Sequence, residues 1–333
     1  MAWRPSGSWT ALRQRARLLA ATRCFFDARG LLEVETPALV QRAVTDPHLE
    51  NIRVRPASGT PLFLHTSPEF HMKRMLAAGA PDIWQLGKVF RDGESGRHHE
   101  PEFTLLEWYR HDFTVAQLAA ETCELLAILA REAEIAGAPP TLALETPVYW
   151  TYADLFQATL GVNPLAAESA ELRACARSVL GDRASAELCA SLGEETTLWL
   201  DLLMSHVVSK RLAGAGIAVI TGYPESQAAL ARVDPSDQRV AERFEVFCRG
   251  IEVANGYREL TNTAELRRRF IADSALRARL RRPDVTPDEQ LLAAMEYGLP
   301  ECAGVAVGFD RVVMILLGLQ TLQGAISFPV LDS

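Results

Sequence analysis

The chain has 333 residues, 48% of them hydrophobic and 23% charged, which is ordinary globular usage. A net charge of −8 runs against a protein that grips DNA or tRNA mainly through phosphates, whose affinity comes from neutralising that charge. No apolar run reaches the roughly 18–20 residues of a membrane helix. The opening MAWRPSGSW lacks a signal-peptide core, and the six cysteines are scattered with no CxxC pair, so the expectation is a cytoplasmic, non-membrane protein with reduced thiols.

In chain order, residues 9–29 are expected as an amphipathic helix on Leu12, Leu19 and Phe26, widened by Leu18 and Phe25 and ended by Gly30. Short strands are expected at 31–35, 49–55 and 61–65, and Ser67-Pro68 opens a helix to about residue 78. Residues 82–91 and 102–109 are rich in aromatic and branched side chains and form a hairpin around the polar loop DGESGRHHEP. Long ordered loops of this kind are more often functional than decorative. A mostly helical stretch follows at about 114–212, interrupted at 137–140 and 161–164. Strands return near 217–221 and 242–253, then helices near 264–280 and 287–297, a small-residue strand at 304–308 and a helix from Asp310. Strands joined by hairpins, with helices grouped apart, point to an α+β fold around a mainly antiparallel sheet.

Alternation along the second hairpin strand puts Phe103, Leu105, Glu107 and Tyr109 on one face. An aromatic plane, a carboxylate and a phenol suit the wall of a small-ligand site; a half-buried strand with a paired Glu107 has the same pattern. Arg91 ends the partner strand, as a phosphate clamp or as an ordinary surface cation. Gly304, Ala306 and Gly308 also share a face, so either a ligand or a packed element can approach the backbone there. Arg311 falls in the first turn of the next helix, where the dipole disfavours a cation and a functional partner becomes the better account. Glu245, Glu252 and Glu259 are spaced by seven. In a flat strand the first two face opposite ways, so a bulge at Gly250 is needed to bring them together, and Asn255-Gly256 supplies a turn before Glu259. Carboxylates so gathered suit Mg²⁺; on spacing alone, solvated strand ends are the favoured explanation. Arg267 to Arg269 and Arg277 to Arg282 are either a docking surface for an acidic partner or solvated helix faces, and His48, His65, His71 and His206 read as structural.

Taken together, these segments resemble the catalytic core of class II aminoacyl-tRNA synthetases of the lysyl branch. FFDARGLLEVETPAL, with Pro37, is similar to motif 1, which builds the dimer interface. VFRDGESGRHHEPEFTLLEWYR is similar to motif 2 and GVAVGFDRVVMILLG to motif 3, while TSPEFHMKRML and RGIEVANGYREL resemble two lysyl-branch signatures. The resemblance implies one class II catalytic domain over residues 1–333, with a mostly helical insertion at about 114–212, and a homodimer through motif 1. It implies an ATP site of Arg91, Asp92, Gly93, His99, Glu100, Phe103, Glu252, Val253, Gly308 and Arg311, with Arg91 and Arg311 catalytic. Mg²⁺ is expected on Glu245 and Glu252. The amino-acid substrate is expected on Ser67, Pro68, Glu69, Glu107, Tyr109, Asn255, Glu259 and Ala306. The family commonly has Glu two residues after the motif 2 arginine; here that residue is Gly93, and Glu94 or backbone groups are expected to substitute.

The motif 1 helix begins by about Trp9, leaving no room ahead of it for an anticodon-reading barrel. The expectation is therefore the short group that activates (R)-β-lysine, with α-lysine less well used, and acylates a lysine ε-amine of elongation factor P in place of tRNA. Ala306 stands where lysyl-tRNA synthetases resemble this strand but have Gly, consistent with a reshaped pocket. The alternatives are a stand-alone tRNA-charging or asparagine-synthetase-like enzyme, and a non-catalytic amino-acid-binding paralogue. Retention of Arg91, Arg311, Glu245 and Glu252 argues against the last.

Overall fold

A computed structural model of the chain describes residues 3–57, 59–140 and 146–330. They divide into two compact units, residues 1–141 with 259–333 and residues 142–258. The first unit starts with α1 (Trp9–Asp27), capped by Ser8, whose hydroxyl accepts from the Ala11 amide at 3.1 Å. Its buried stripe runs through Ala11, Gln14, Leu18, Thr22, Phe25 and Phe26, so Leu12 and Leu19 sit at the margin of the face and not at its centre. Next come β1 (Leu32–Glu33), β2 (Leu39–Val40), β3 (Arg53–Val54), β4 (Leu62–Leu64), α2 (Glu69–Ala77), β5 (Ile83–Phe90), β6 (Glu102–His111) and α3 (Val115–Ile135). The second unit holds β7 (Val148–Thr151), α4 (Tyr152–Leu160), α5 (Ser169–Leu180), α6 (Ala186–Leu192), α7 (Thr196–His206), β8 (Ile217–Pro224), β9 (Val240–Cys248) and β10 (Ile251–Arg258). The chain then returns to the first unit with α8 (Thr263–Arg279), α9 (Glu289–Gly298), β11 (Cys302–Gly308) and α10 (Phe309–Leu316).

In the first unit β1 runs parallel to β5, and β5, β6 and β11 pair antiparallel. The register sets Tyr109 beside Gly304, Glu107 beside Ala306 and Leu105 beside Gly308. The small residues of β11 therefore flank the chemistry-bearing face of β6. A small second sheet joins β2, β4 and β3. Under α1, Phe26 stacks on Trp84 at 4.7 Å and meets the edge of Trp108 at 5.2 Å, an arrangement that large aromatic surfaces favour in cores. In the second unit β7 runs parallel to β8, and β8, β9 and β10 are antiparallel. Its own core gathers Tyr152, Phe156, Trp199, Leu203 and Phe247.

The helical stretch expected at about 114–212 is divided between the units, α3 in the first and α4 to α7 in the second. Residues 141–145, next to its first interruption, lie outside the described residues. The strand expected at 49–55 shrinks to Arg53–Val54. Gly250 is not a bulge: Arg249 and Gly250, at φ 52° and 78°, make the tight turn between β9 and β10, a shape matched to the twist of a hairpin. The bulge lies between Glu252 and Ala254. Asn255-Gly256 is not a turn either, being paired in β10 opposite Glu245 and Phe244. The basic runs are largely spoken for. Arg267 pairs with Glu289, and Arg268 and Arg269 with Glu265. Arg277 is buried, donating to Glu50, to the carbonyls of Asp46 and Leu49 and to that of Pro283. No helix among the described residues is long and apolar enough to cross a membrane.

Candidate active site

Pro68 and Ser67 start α2, the Ser67 hydroxyl accepting from the Glu69 amide at 3.0 Å. The same hydroxyl donates to Glu107 at 2.7 Å, and the Tyr109 phenol donates to the other Glu107 oxygen at 2.7 Å. Glu259, on the segment entering α8, and Glu69 both lie 2.6 Å from the ammonium of Lys73, one turn along α2 from Glu69. Glu107, Glu259 and Lys73 are buried, and Glu69 is half-buried. Burial, and then Glu69 nearby, pushes the Glu107 carboxyl up to about 7, against the two hydrogen bonds that favour its ionised form. Burial raises Glu259 as well, opposed chiefly by Lys73. Lys73 itself is held above its usual range, burial being outweighed by Glu259 and Glu69. Two contacts of 2.6 Å identify Lys73 as an ammonium flanked by carboxylates. Three acidic groups to one basic group leave this cluster suited to further cations.

The small-residue face of β11 divides its duties. A Cβ on Gly304 would strike the Tyr109 ring and come within 2.5 Å of Glu259 Oε1, so Gly304 is there for packing of the acidic cluster. Ala306 and Gly308 are half-buried, the nearest atoms to a Cβ on Gly308 being those of Arg311 at 3.7 Å.

The loop from 91 to 101 is held down at several points. The Leu322 amide donates to the Arg97 carbonyl at 2.9 Å, and the Arg311 guanidinium donates to the His98 carbonyl at 3.1 Å. Arg91 sets its guanidinium carbon 5.0 Å from the centre of the Phe103 ring and 3.5 Å from Glu94 at the nearest nitrogen-to-oxygen approach. Glu94 thus lies beside Arg91. Gly93 turns the loop at φ 76°, a conformation that only glycine adopts freely. Asp92 and His99 are exposed, and the His99 backbone pairs with Gly96. Glu100 is buried and accepts from Gln323 Nε2 at 2.5 Å and from the Val330 amide at 3.3 Å. Its carboxylate fastens the loop to the C-terminal segment.

In the second unit Glu245 and Asn255 face each other across β9 and β10. Arg243 donates to Glu245 at 2.7 Å and to Asn255 at 3.0 Å, and Tyr223 donates to Glu245 at 2.5 Å. Burial and then Glu252 push the Glu245 carboxyl up to about 7. Val253 is buried within β10. Among the described residues no three His, Cys, Asp or Glu side chains gather as a metal cage. Glu245 and Glu252 are instead a repelling pair, which fits an ion that takes few protein oxygens.

Lys73, Arg243 and Tyr223 escaped the sequence reading. Two signals were there to find: Lys73 is four residues after Glu69 on a helix, and Arg243 shares a strand face with Glu245. Tyr223 had none, because its partner lies on the neighbouring strand.

The family described as tRNA synthetases class II (D, K and N) matches residues 1–332. An elongation factor P–(R)-β-lysine ligase of Vibrio cholerae serotype O1 is 44% identical, covering 98% of this chain and 97% of the relative. Proteins of the same name from Pectobacterium carotovorum and Haemophilus influenzae are 42% and 41% identical, again over 98% of this chain and 97% of each relative. The α+β core, with its mainly antiparallel strands, is the catalytic fold of that family. The chain belongs to the class II aminoacyl-tRNA synthetase family and, within it, to the group of ligases that these relatives represent.

Proposed function

We propose that this ligase activates (R)-β-lysine with ATP and transfers it to the ε-amine of a lysine on elongation factor P, with α-lysine a poorer substrate. The observation that carries the reading is the buried cluster of Glu69, Glu107 and Glu259 against one Lys73. Such a site favours a molecule with two ammonium groups, since buried carboxylates must find cations or protons. The names of the relatives support both the amino acid and the acceptor.

The substrate carboxylate attacks the α-phosphorus of ATP, the bridging P–O bond breaks and pyrophosphate leaves. The neutral acceptor amine then attacks the acyl carbon, the C–O bond to AMP breaks and the amine proton passes to solvent. The first step brings anion to anion, so its acceleration rests on cations and positioning and needs no general base. Arg91 and Arg311 supply cations toward the phosphates, and Phe103 supplies an aromatic face. Asp92, Gly93, His99, Val253 and Gly308 border the nucleotide, largely through backbone or exposed groups. Glu100 contributes by fixing the loop. Glu245 and Glu252 would hold Mg²⁺, which supplies positive charge to the phosphates when bound. Ser67 and Tyr109 orient Glu107. Pro68 starts the helix that carries Glu69, and Asn255 and Ala306 shape the amino-acid side. One catalytic domain acting as a cytoplasmic homodimer, without stable tRNA binding, completes the proposal.

Pyrophosphate exchange is the direct test. Exchange should be fast with (R)-β-lysine, slower with α-lysine and followed by a single acyl mass increment on elongation factor P. Absence of exchange with both isomers, or acylation of tRNA alone, overturns the reading.

A further inference from the structure

Lys73 has no part in the chemistry described so far, yet it sits at the centre of the acidic cluster. It is 3% exposed and reaches Glu69 and Glu259 at 2.6 Å each. An exposed Glu–Lys pair one helical turn apart contributes only a few tenths of a kcal/mol. Burying an ammonium costs far more, and the cost is recovered only with close, complementary partners. The charged groups that face it are Glu69 from α2, Glu259 from the segment entering α8 and Glu107 from β6, with the Tyr109 phenol turned to Glu107. With all three carboxylates ionised, one ammonium among them leaves two negative charges in excess. That excess equals the cationic charge of one diamino acid.

We infer that Lys73 is a positioning and specificity-determining residue of the substrate site: its ammonium fixes Glu69 and Glu259 in place and sets the cluster to accept one diammonium molecule. This rests on the proposed reading of the site. Without Lys73 the cluster carries one more negative charge than the substrate can neutralise. Glu259 then retains a proton to higher pH and is a poorer acceptor for the substrate ammonium.

The test is calorimetric binding of (R)-β-lysine and of ATP to the full chain between pH 6 and pH 9, for wild type, Lys73→Met and Lys73→Arg. In Lys73→Met, affinity for the diamino acid should fall about tenfold or more, as expected when a buried charge loses its partner. Its half-loss on acidification should move to higher pH. ATP affinity should stay within about twofold of wild type, and Lys73→Arg, which keeps the charge, should recover part of the loss. A purely structural role would weaken both ligands together and leave the pH midpoint in place. If Lys73→Met does not fold, Lys73→Gln keeps hydrogen-bond donors without the charge and gives the same readouts. Unchanged or tighter diamino-acid binding with an unmoved pH midpoint overturns the inference. Failure of the wild type to bind any diamino acid instead overturns the reading of the site on which it rests.

Discussion

A single methyl group separates the two kinds of small residue on β11. At Gly304 a Cβ would collide with the Tyr109 ring and with Glu259. Gly304→Ala should cost about 1–3 kcal/mol of stability, the usual range for overpacking, seen as a lower thermal midpoint together with weaker diamino-acid binding. Ala306 is half-buried, and removing its methyl makes room beside Glu107. Ala306→Gly should shift the kcat/KM ratio toward α-lysine by about 1–3 kcal/mol, the discrimination one such group supplies. An unchanged ratio in exchange assays would remove Ala306 from the specificity argument. The Glu107 carboxyl makes a separate prediction. It is raised to about 7, and in the proposed complex the substrate ammonium binds its ionised form. Below that pH the free protein holds a proton there that binding must displace, so affinity for (R)-β-lysine should fall by up to about tenfold per pH unit per proton. Above pH 7 the Glu107 contribution should level off, leaving that of Glu259, which is raised to about 8. Glu107→Gln should flatten this part of the curve while weakening binding throughout. The sign for stability follows from the same shift: an unfolded Glu ionises near 4.5, so the ligand-free fold loses stability as pH rises from there toward 7.

Among the elements, the β9–β10 hairpin carries the most consequence in the fewest residues. Its turn needs a positive φ at Gly250, and a Cβ there would lie 2.9 Å from the Ser209 carbonyl oxygen. Gly250→Ala should cost about 1–3 kcal/mol through backbone strain and displace Glu245 and Glu252. The Mg²⁺ concentration for half-maximal pyrophosphate exchange should rise. A variant that melts earlier but keeps its Mg²⁺ requirement would detach the hairpin from the metal. This element also marks where sequence reasoning reached its limit. A spacing of seven between Glu245 and Glu252 told that some irregularity intervenes, but a bulge and a two-residue turn both satisfy it. Period-2 alternation did expose the face of β6, because Phe103, Leu105, Glu107 and Tyr109 alternate along it while Leu106 and Trp108 are buried on the other side. The signature segments then supplied roles that alternation alone left open. Tertiary pairing lay beyond both. Arg277 read as a solvated helix face, yet its partners Glu50 and the carbonyls of Asp46 and Leu49 come from far earlier in the chain. The hold of Glu100 on Gln323 was likewise invisible, since no local pattern links the two residues.

For the whole molecule, the unanswered demand is on the motif 1 side of the first unit. Trp9, Leu32 and Leu39 are 69%, 50% and 44% exposed, although each is a large apolar side chain. Leu32 lies in β1, the edge of the β1-β5-β6-β11 arrangement. Single exposed apolar residues are normal on a monomer, but an apolar sheet edge invites pairing unless another chain covers it. In the proposed homodimer the cover is a second copy, arranged so that both copies use the same surface. Sedimentation at micromolar concentration should therefore give a dimer. Leu32→Glu with Leu39→Glu should give a monomer with unchanged helix content. If exchange activity falls with the dimer fraction and returns at high protein concentration, the assembly supports catalysis as well as solubility. A wild-type protein that sediments as a monomer at every concentration would leave this face needing another partner and would remove motif 1 as its explanation.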